Sequence, residues 1–281
     1  MNIDFKLKHL LSTKTNSFLV VLLMACTLTS GCAIKNQEHL SDSMSMEVAK
    51  PFDVNDPIEP FNRFMFGFNM FVDRIAIEPI ARGYRFAVPK PARNSIGNAL
   101  DNLKSPVYFA NTLLEGDVKG SGKTLARFTI NSTIGIVGLF DVASKLGLPL
   151  IKRDFGETLA SWGSNEGYYV VLPLLGPSNV RDTAGLVADN LMDPFMWIAA
   201  NSSDANAKAY GYVRTGLKAI DSREKMLDTM DDIKRNSLDL YTATKTMYRQ
   251  NRKKQVNQTL KDLGREEASQ KALYDFDYNV E

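Results

Sequence analysis

The sequence is poor in the residues that enzymes and metal proteins most often use. Its two histidines, His9 and His39, both precede Pro51. The rest of the chain therefore has no imidazole for a serine–histidine hydrolase or a histidine-bound zinc, and it contains no Gly-x-Ser-x-Gly elbow. Cysteine is equally scarce: Cys26 and Cys32 are the only two. Everything beyond them can form neither an internal disulfide nor a thiolate metal site. Long apolar runs are missing too. Ile134–Phe140 is punctuated by glycines and followed by Asp141 and Lys145, well short of the roughly 20 apolar residues of a spanning helix. No excess of one charge sign survives once residues 1–31 are set aside, because the small positive balance belongs to Lys6, Lys8 and Lys14. That removes the electrostatic case for nucleic acid.

What is present is an ordinary globular content, 44% hydrophobic and 23% charged in 281 residues, enough for a real core. The N-terminus carries Lys6, Lys8 and Lys14 ahead of Phe18–Met24 and then small residues to Gly31. A basic segment, a short apolar run and small residues describe a secretion signal. Leu28-Thr-Ser-Gly-Cys32 resembles a bacterial lipobox, which makes Cys32 the expected acylated residue, with Cys26 as a competing and poorer site. Ala33 follows Cys32 in place of the aspartate that holds lipoproteins at the inner membrane, so the resemblance implies the outer membrane. Two or three acyl chains make a lasting anchor. The expected organisation is a signal over 1–31, an acylated tether over 32–50, a helical domain over 51–249 and a charged tail over 250–281.

The stretch from Asp56 to Asp73 dominates the rest. Phe61, Phe64, Met65, Phe68, Phe71, Val72 and Ile75 recur at helical spacing, and Phe66 and Met70 fall off that face, leaving a narrow polar edge at Asn62, Arg63, Asn69 and Asp73. A helix so apolar is either buried in protein or in contact with lipid. Pro57 and Pro60 suit its start, and Asp56 is placed to cap it. Gly67 beside Phe68 and Asn69 allows either close helix packing or a bend.

Further on, Pro89 and Pro91 enforce an extended bend before a helix carrying Ile96, Leu100 and Leu103, which Ser105-Pro106 is expected to break. A helix over Lys119–Thr133 should turn Leu125, Ala126, Phe128 and Ile130 inward and Arg127 and Asn131 outward. Tyr168–Leu175 is the one strand-like segment, with Pro173 arguing for an edge, and Gly176-Pro-Ser178 reads as a turn into a helix over Asn179–Leu191. Asp193–Ala200 is a second segment rich in Phe, Met and Trp. A pair of longer helices follows to Arg249. The total is an all-α domain with one short extended segment and no transmembrane helix.

Three stretches suggest chemistry and fail on inspection. Gly116–Thr124 ends in Gly-Lys-Thr, but the first glycine of a phosphate loop should stand at 117, which is Asp; the stretch reads as a helix–helix turn. Asp275–Asn279 opens like a calcium loop whose later ligands would lie past Glu281. Asp231-Asp232 reads as a solvated helix face. No cofactor and no catalytic residue is expected.

Four blocks together resemble the MlaA (VacJ-like) outer-membrane lipoproteins: Asp56-Pro57-Ile-Glu-Pro-Phe61-Asn62-Arg63, Val88-Pro89-x-Pro91-Ala-Arg93-Asn94, Asn131-x-x-x-Gly135 with Gly138-x-Phe-Asp-Val-Ala143, and Leu172-Pro173-x-x-Gly176-Pro-Ser178-x-x-Arg181-Asp182. The resemblance implies a ring-like multi-helix domain, with amphipathic helices lying in one leaflet of the outer membrane and an amphipathic channel through its middle. It implies retrograde transport of phospholipids to a periplasmic carrier protein, and association with a trimeric porin. On that basis Phe61, Phe64, Met65, Phe66, Phe68, Asn69, Met70 and Phe71 are the candidates for the channel or lipid contact. The rival expectation is a structural lipoprotein that tethers the envelope and moves no lipid.

Overall fold

The computed structural model describes residues 56–265. The readings of residues 1–31, of Cys32 and Cys26, of the tether to residue 50 and of Asp275–Asn279 lie outside the described residues. Within them the chain is helical apart from one hairpin, and no helix is long and apolar enough to cross a membrane.

The first helix, α1, spans Glu59–Val72, with Pro60 in its first turn, where a missing N–H loses nothing. Asp56 does not cap it. The N-cap position is Ile58, without a side-chain bond, and the Asp56 carboxylate instead accepts from Asn62, Tyr241 and Lys245. A π-helical turn over Asp73–Ile77 joins α1 to α2 (Glu78–Ala87). The Glu78 N–H reaches back to the Asp73 carbonyl, and this wider turn comes just before Pro79, which has no N–H to donate.

Helix α3 runs unbroken from Lys90 to Leu114 with Pro106 inside it. The break expected at Ser105-Pro106 does not occur, because proline removes a single ladder bond while α3 packs along α4 more extensively than any other two elements meet. Helix α4, Val118–Thr133, starts at an Asp117 cap that accepts the Gly120 N–H, with Gly116 at φ +84° in the turn before it. Gly122, Lys123 and Thr124 are therefore helical and form no phosphate loop.

The short helices α5 (Val142–Lys145) and α6 (Phe155–Ser161) follow, the latter with a reciprocal capping box between Asp154 and Glu157. The extended segment is one arm of a hairpin. Strand β1 (Tyr169–Leu172) pairs antiparallel with β2 (Gly176–Asn179), Tyr169 opposite Asn179 and Leu172 opposite Gly176. Pro173 sits in the connecting turn, and the stretch read as a turn, Gly176-Pro-Ser178, is the second strand. Then come α7 (Val180–Met192), α8 (Pro194–Asn201), α9 (Ala205–Lys225), α10 (Leu227–Asn236) and α11 (Leu240–Asp262). Helix α11 continues past Gln250, where apolar residues thin out, because buried Arg252 fastens it together with Leu260. Arg252 is buried and grips Asp154 and Asp182 at 2.7 and 2.8 Å.

Candidate lipid-facing surface and polar interior

Helix α1 shows the organisation most clearly. Asn62, Asn69 and Asp73 stand seven and four residues apart, hence on one face, and that face points inward. Asn62 is fully buried and donates to Asp56 and to the Tyr169 carbonyl while accepting the Val171 N–H. Asn69 donates to the Leu172 carbonyl and accepts the Leu174 N–H. Asp73 holds Arg223 through both carboxylate oxygens at 2.6 and 2.8 Å. The opposite face carries Phe61, Phe64, Phe68, Phe71 and Ile75, all outward, with Phe64 at 68% and Phe71 at 61% exposure.

Four of the candidate contact residues turn away from the outer face. Met65 and Phe66 pack against the cluster of Tyr169, Val171 and Tyr241, Phe66 meeting Tyr241 edge-on at 5.6 Å. Asn69 is occupied by the hairpin, and Met70 is half-buried. Gly67 is exposed, and a Cβ there would meet nothing within 4 Å, so close helix packing does not explain it.

The same inversion recurs across the domain. On α4 the sequence reading fails at three positions: Leu125 is 50% exposed, whereas Arg127 and Asn131 are buried; Ala126, Phe128 and Ile130, also expected inward, are half-buried. Arg127 reaches Asp141, Ser144 and the Leu148 carbonyl, and Asn131 donates to Asp141. On α7 the apolar positions Val180, Val187 and Leu191 face out and Arg181 and Asp189 face in. Trp197 and Ile198 of α8 face out, while Asp193 before it holds Arg214 at 2.8 Å. Among the described residues, 28 buried side chains are polar or charged against 12 hydrophobic, and 34 large hydrophobic side chains are exposed. A domain solvated by water on every side would show the opposite bias.

Most interior polar groups are paired with one another; among the exceptions, the buried hydroxyls of Tyr84, Tyr169 and Thr244 have no hydrogen-bond partner. Arg252, Asp154, Asp182 and Tyr248 form one knot. A second joins Asn111, Thr158, Glu115, Arg153 and Asp189. Arg153 Nε lies 3.2 Å from Glu115, but neither atom is aligned for a hydrogen bond. Burial pushes Glu115 up to about 7, and burial together with the neighbouring Asp154 charge pushes Glu157 up to about 7. Asp141 is held down to about 2: burial raises it, and hydrogen bonds from Ser144, Asn131 and Arg127 outweigh that. Asp231 and Asp232 sit in surface ion pairs with Arg82 and Arg235.

The motif residues fall at joints. Pro57 lies in the turn before α1, and Pro89 and Pro91 open α3. Arg63 joins α1 to Asp239 at 2.8 Å and lies over the Tyr241 ring. Arg93 donates to the Arg85 and Val88 carbonyls across the α2–α3 bend. Gly176 has φ +85° where the hairpin returns, and Arg181 and Asp182 pair at the head of α7. Sequence reading missed Tyr241, Lys245, Arg223 and Arg252. Their partners lie 70 to 189 residues away, and no local pattern marks them. Among the described residues no group of three or more His, Cys, Asp or Glu could hold a metal ion.

Comparison with known proteins gives one consistent result. The family model for the MlaA lipoprotein matches residues 54–255. The Haemophilus influenzae intermembrane phospholipid transport system lipoprotein MlaA is 35% identical over 249 residues, 87% of this chain and 92% of that protein. The Escherichia coli protein of the same description is 32% identical over 234 residues, 82% of this chain and 85% of that one. A solved structure described as the structural basis for maintenance of bacterial outer membrane lipid asymmetry superposes with TM-score 0.61 at 33% identity, covering 72% of this chain and 100% of the other.

Proposed function

This chain belongs to the MlaA lipoprotein family, whose characterised members act in intermembrane phospholipid transport, and from that premise we propose that it removes misplaced phospholipid from the outer leaflet of the outer membrane. Residues 1–31 are the signal, Cys32 is acylated, and residues 32–50 tether to the periplasmic side of the membrane a helical domain that starts at 51 and, with α11, runs past the expected boundary at 249. The helices lie in one leaflet around a ring, and lipid passes through an amphipathic channel to a periplasmic phospholipid carrier beside a trimeric porin. Phe61, Phe64, Phe68 and Phe71 meet acyl chains, while Met65, Phe66, Asn69 and Met70 tie that helix to the channel wall.

The observation that supports this reading is the inversion of the domain. Hydrocarbon imposes no penalty on exposed phenylalanine, and polar groups placed in an apolar medium must be satisfied internally. Paired arginines and carboxylates inside, with aromatics outside, meet both conditions. Passage of a lipid makes and breaks no covalent bond, so the function calls for no catalytic group and no cofactor.

The test is contact with lipid. A photo-crosslinking side chain placed at Phe64, Phe68 or Phe71 in cells should capture phospholipid. Capture of protein alone at all three positions overturns the lipid-facing assignment and favours the envelope-tethering reading.

A further inference from the structure

The segment between α4 and α5 is built in an unusual way. Ile136 and Val137 have φ of +51° and +57°, a left-handed conformation that β-branched residues strongly resist. Their side chains point out, together with those of Ile134, Leu139 and Phe140; Ile134 is 68% and Val137 61% exposed. The backbone beneath them is held tightly. A Cβ on Gly135 would lie 2.3 Å from the Phe140 carbonyl, and one on Gly138 would lie 2.4 Å from the Asn102 side chain of α3. Asn131 accepts the Ala143 N–H and donates to Asp141, closing the segment at its base.

Hydrogen bonding identifies the surroundings this segment is made for. Every backbone N–H from Ile134 to Phe140 has an internal acceptor: Ile130 for Ile134 and Gly135, Thr133 for Ile136, Ser132 for Val137, Asn131 for Gly138, Ile136 for Leu139 and Gly135 for Phe140. A surface turn in water has no need to satisfy its donors in this way, whereas one in hydrocarbon must. The adjoining outer face of α4 follows the same rule. Thr129 and Thr133 are its exposed hydroxyl residues beside Leu125, and each hydroxyl bonds the carbonyl four residues back. No charged side chain occurs between Arg127, which is buried, and Asp141.

We propose that Ile134–Phe140 is a second membrane-contacting element, a rigid apolar knob inserted among acyl chains, for which the left-handed turn at Ile136 and Val137 fixes the outward pose. The occupant is lipid rather than protein, because the knob presents no free donor, no charge and no side-chain hydroxyl that a protein partner would recognise. The proposal rests on the membrane reading of the domain and adds to it a site remote in sequence from α1.

The experiment uses the acylated full chain in vesicles of phosphatidylethanolamine and phosphatidylglycerol. A nitroxide is attached at Val137→Cys, Ile136→Cys, Phe64→Cys or, as an aqueous reference, at exposed Gln250→Cys, with the unsubstituted chain as the blank. Collision with oxygen, which concentrates in hydrocarbon, should exceed collision with a water-soluble nickel chelate several-fold more at 136 and 137 than at 250. Nickel access at 136 and 137 with oxygen access at 64 overturns the knob and leaves the membrane reading intact. Nickel access at all three overturns the membrane reading itself. Protection of 136 and 137 from both reagents assigns the knob to a protein contact and overturns the proposal. Val137→Gly, which removes the conformational conflict, should melt no lower than the unsubstituted chain; if it melts lower, Val137 is a packing residue and the outward pose is not its role.

Discussion

Asn62 acts as a third strand beside β1: its amide oxygen accepts the Val171 N–H at 2.9 Å and its amide nitrogen donates to the Tyr169 carbonyl at 3.0 Å. Two helical turns on, Asn69 repeats the arrangement at Leu172 and Leu174. A helix is thus stitched to a hairpin edge by two side-chain amides, which satisfy strand groups that no other strand covers. Asn62→Ala would leave a buried donor and a buried acceptor unpaired, at about 1–3 kcal/mol each. Asn69→Ala lies nearer the surface, where water can substitute. Thermal unfolding of the two variants should show the larger fall for Asn62→Ala; equal falls would mean that the two amides are not graded by burial.

Phe64 and Phe66 are two positions apart on α1 and should behave as opposites. Phe66 fills the space against Tyr241 and Tyr169, so Phe66→Ala should cost about 3 kcal/mol of stability. Phe64→Ser removes an outward ring and should leave detergent-solubilised stability within about 0.5 kcal/mol, while reducing lipid contact in membranes. Denaturant melts combined with lipid crosslinking separate the two effects.

This contrast also marks how far the sequence could be read. Helical spacing located α1, the turn at Gly116, the helix over Lys119–Thr133 and the extended run at Tyr169, because local periodicity and capping determine those features. It could not say which face of a helix is the inside. Leu125 and Arg127 were placed by the rule that apolar side chains go in, a rule that holds when the solvent is water and reverses when it is hydrocarbon. Arg252 was unreadable for a different reason: its acceptors, Asp154 and Asp182, are brought to it only by the assembled fold.

Stability should depend on pH through two buried glutamates, Glu115 of the second polar knot and Glu157 of the α6 capping box. Glu115 and Glu157, held near 7 in the folded chain, titrate near 4.5 as ordinary glutamates, so the folded state binds more protons between those values. Their stabilising effect is complete below about pH 4.5 and is lost as pH rises through about 7, at about 3 kcal/mol per group. Glu78 and Asp141, held down to about 2, have the opposite slope, but only in acid below about pH 4. Between pH 5 and 8 the melting temperature should therefore fall. Glu115→Gln together with Glu157→Gln, where glutamine keeps the capping box, should flatten the fall; an unchanged slope would assign the pH dependence elsewhere.

Cys32 should carry the acyl chains. Mass spectrometry of the mature N-terminus should find a lipid-modified Cys32 in the unsubstituted protein and none in Cys32→Ser. A modified Cys26 in the unsubstituted protein would move the anchor and lengthen the tether.

Clearance of phospholipid from the outer leaflet by this chain can be measured directly in cells. Intact cells with and without it can be treated with a phospholipase that cannot cross the outer membrane, and the phospholipid hydrolysed per cell compared. Loss of the chain should raise surface-accessible phospholipid, and re-expression should restore the barrier, whereas Cys32→Ser, unable to anchor, should not. An unchanged amount of surface phospholipid in cells lacking the chain, with an envelope that detaches or blebs, would contradict lipid removal and identify the protein as a tether.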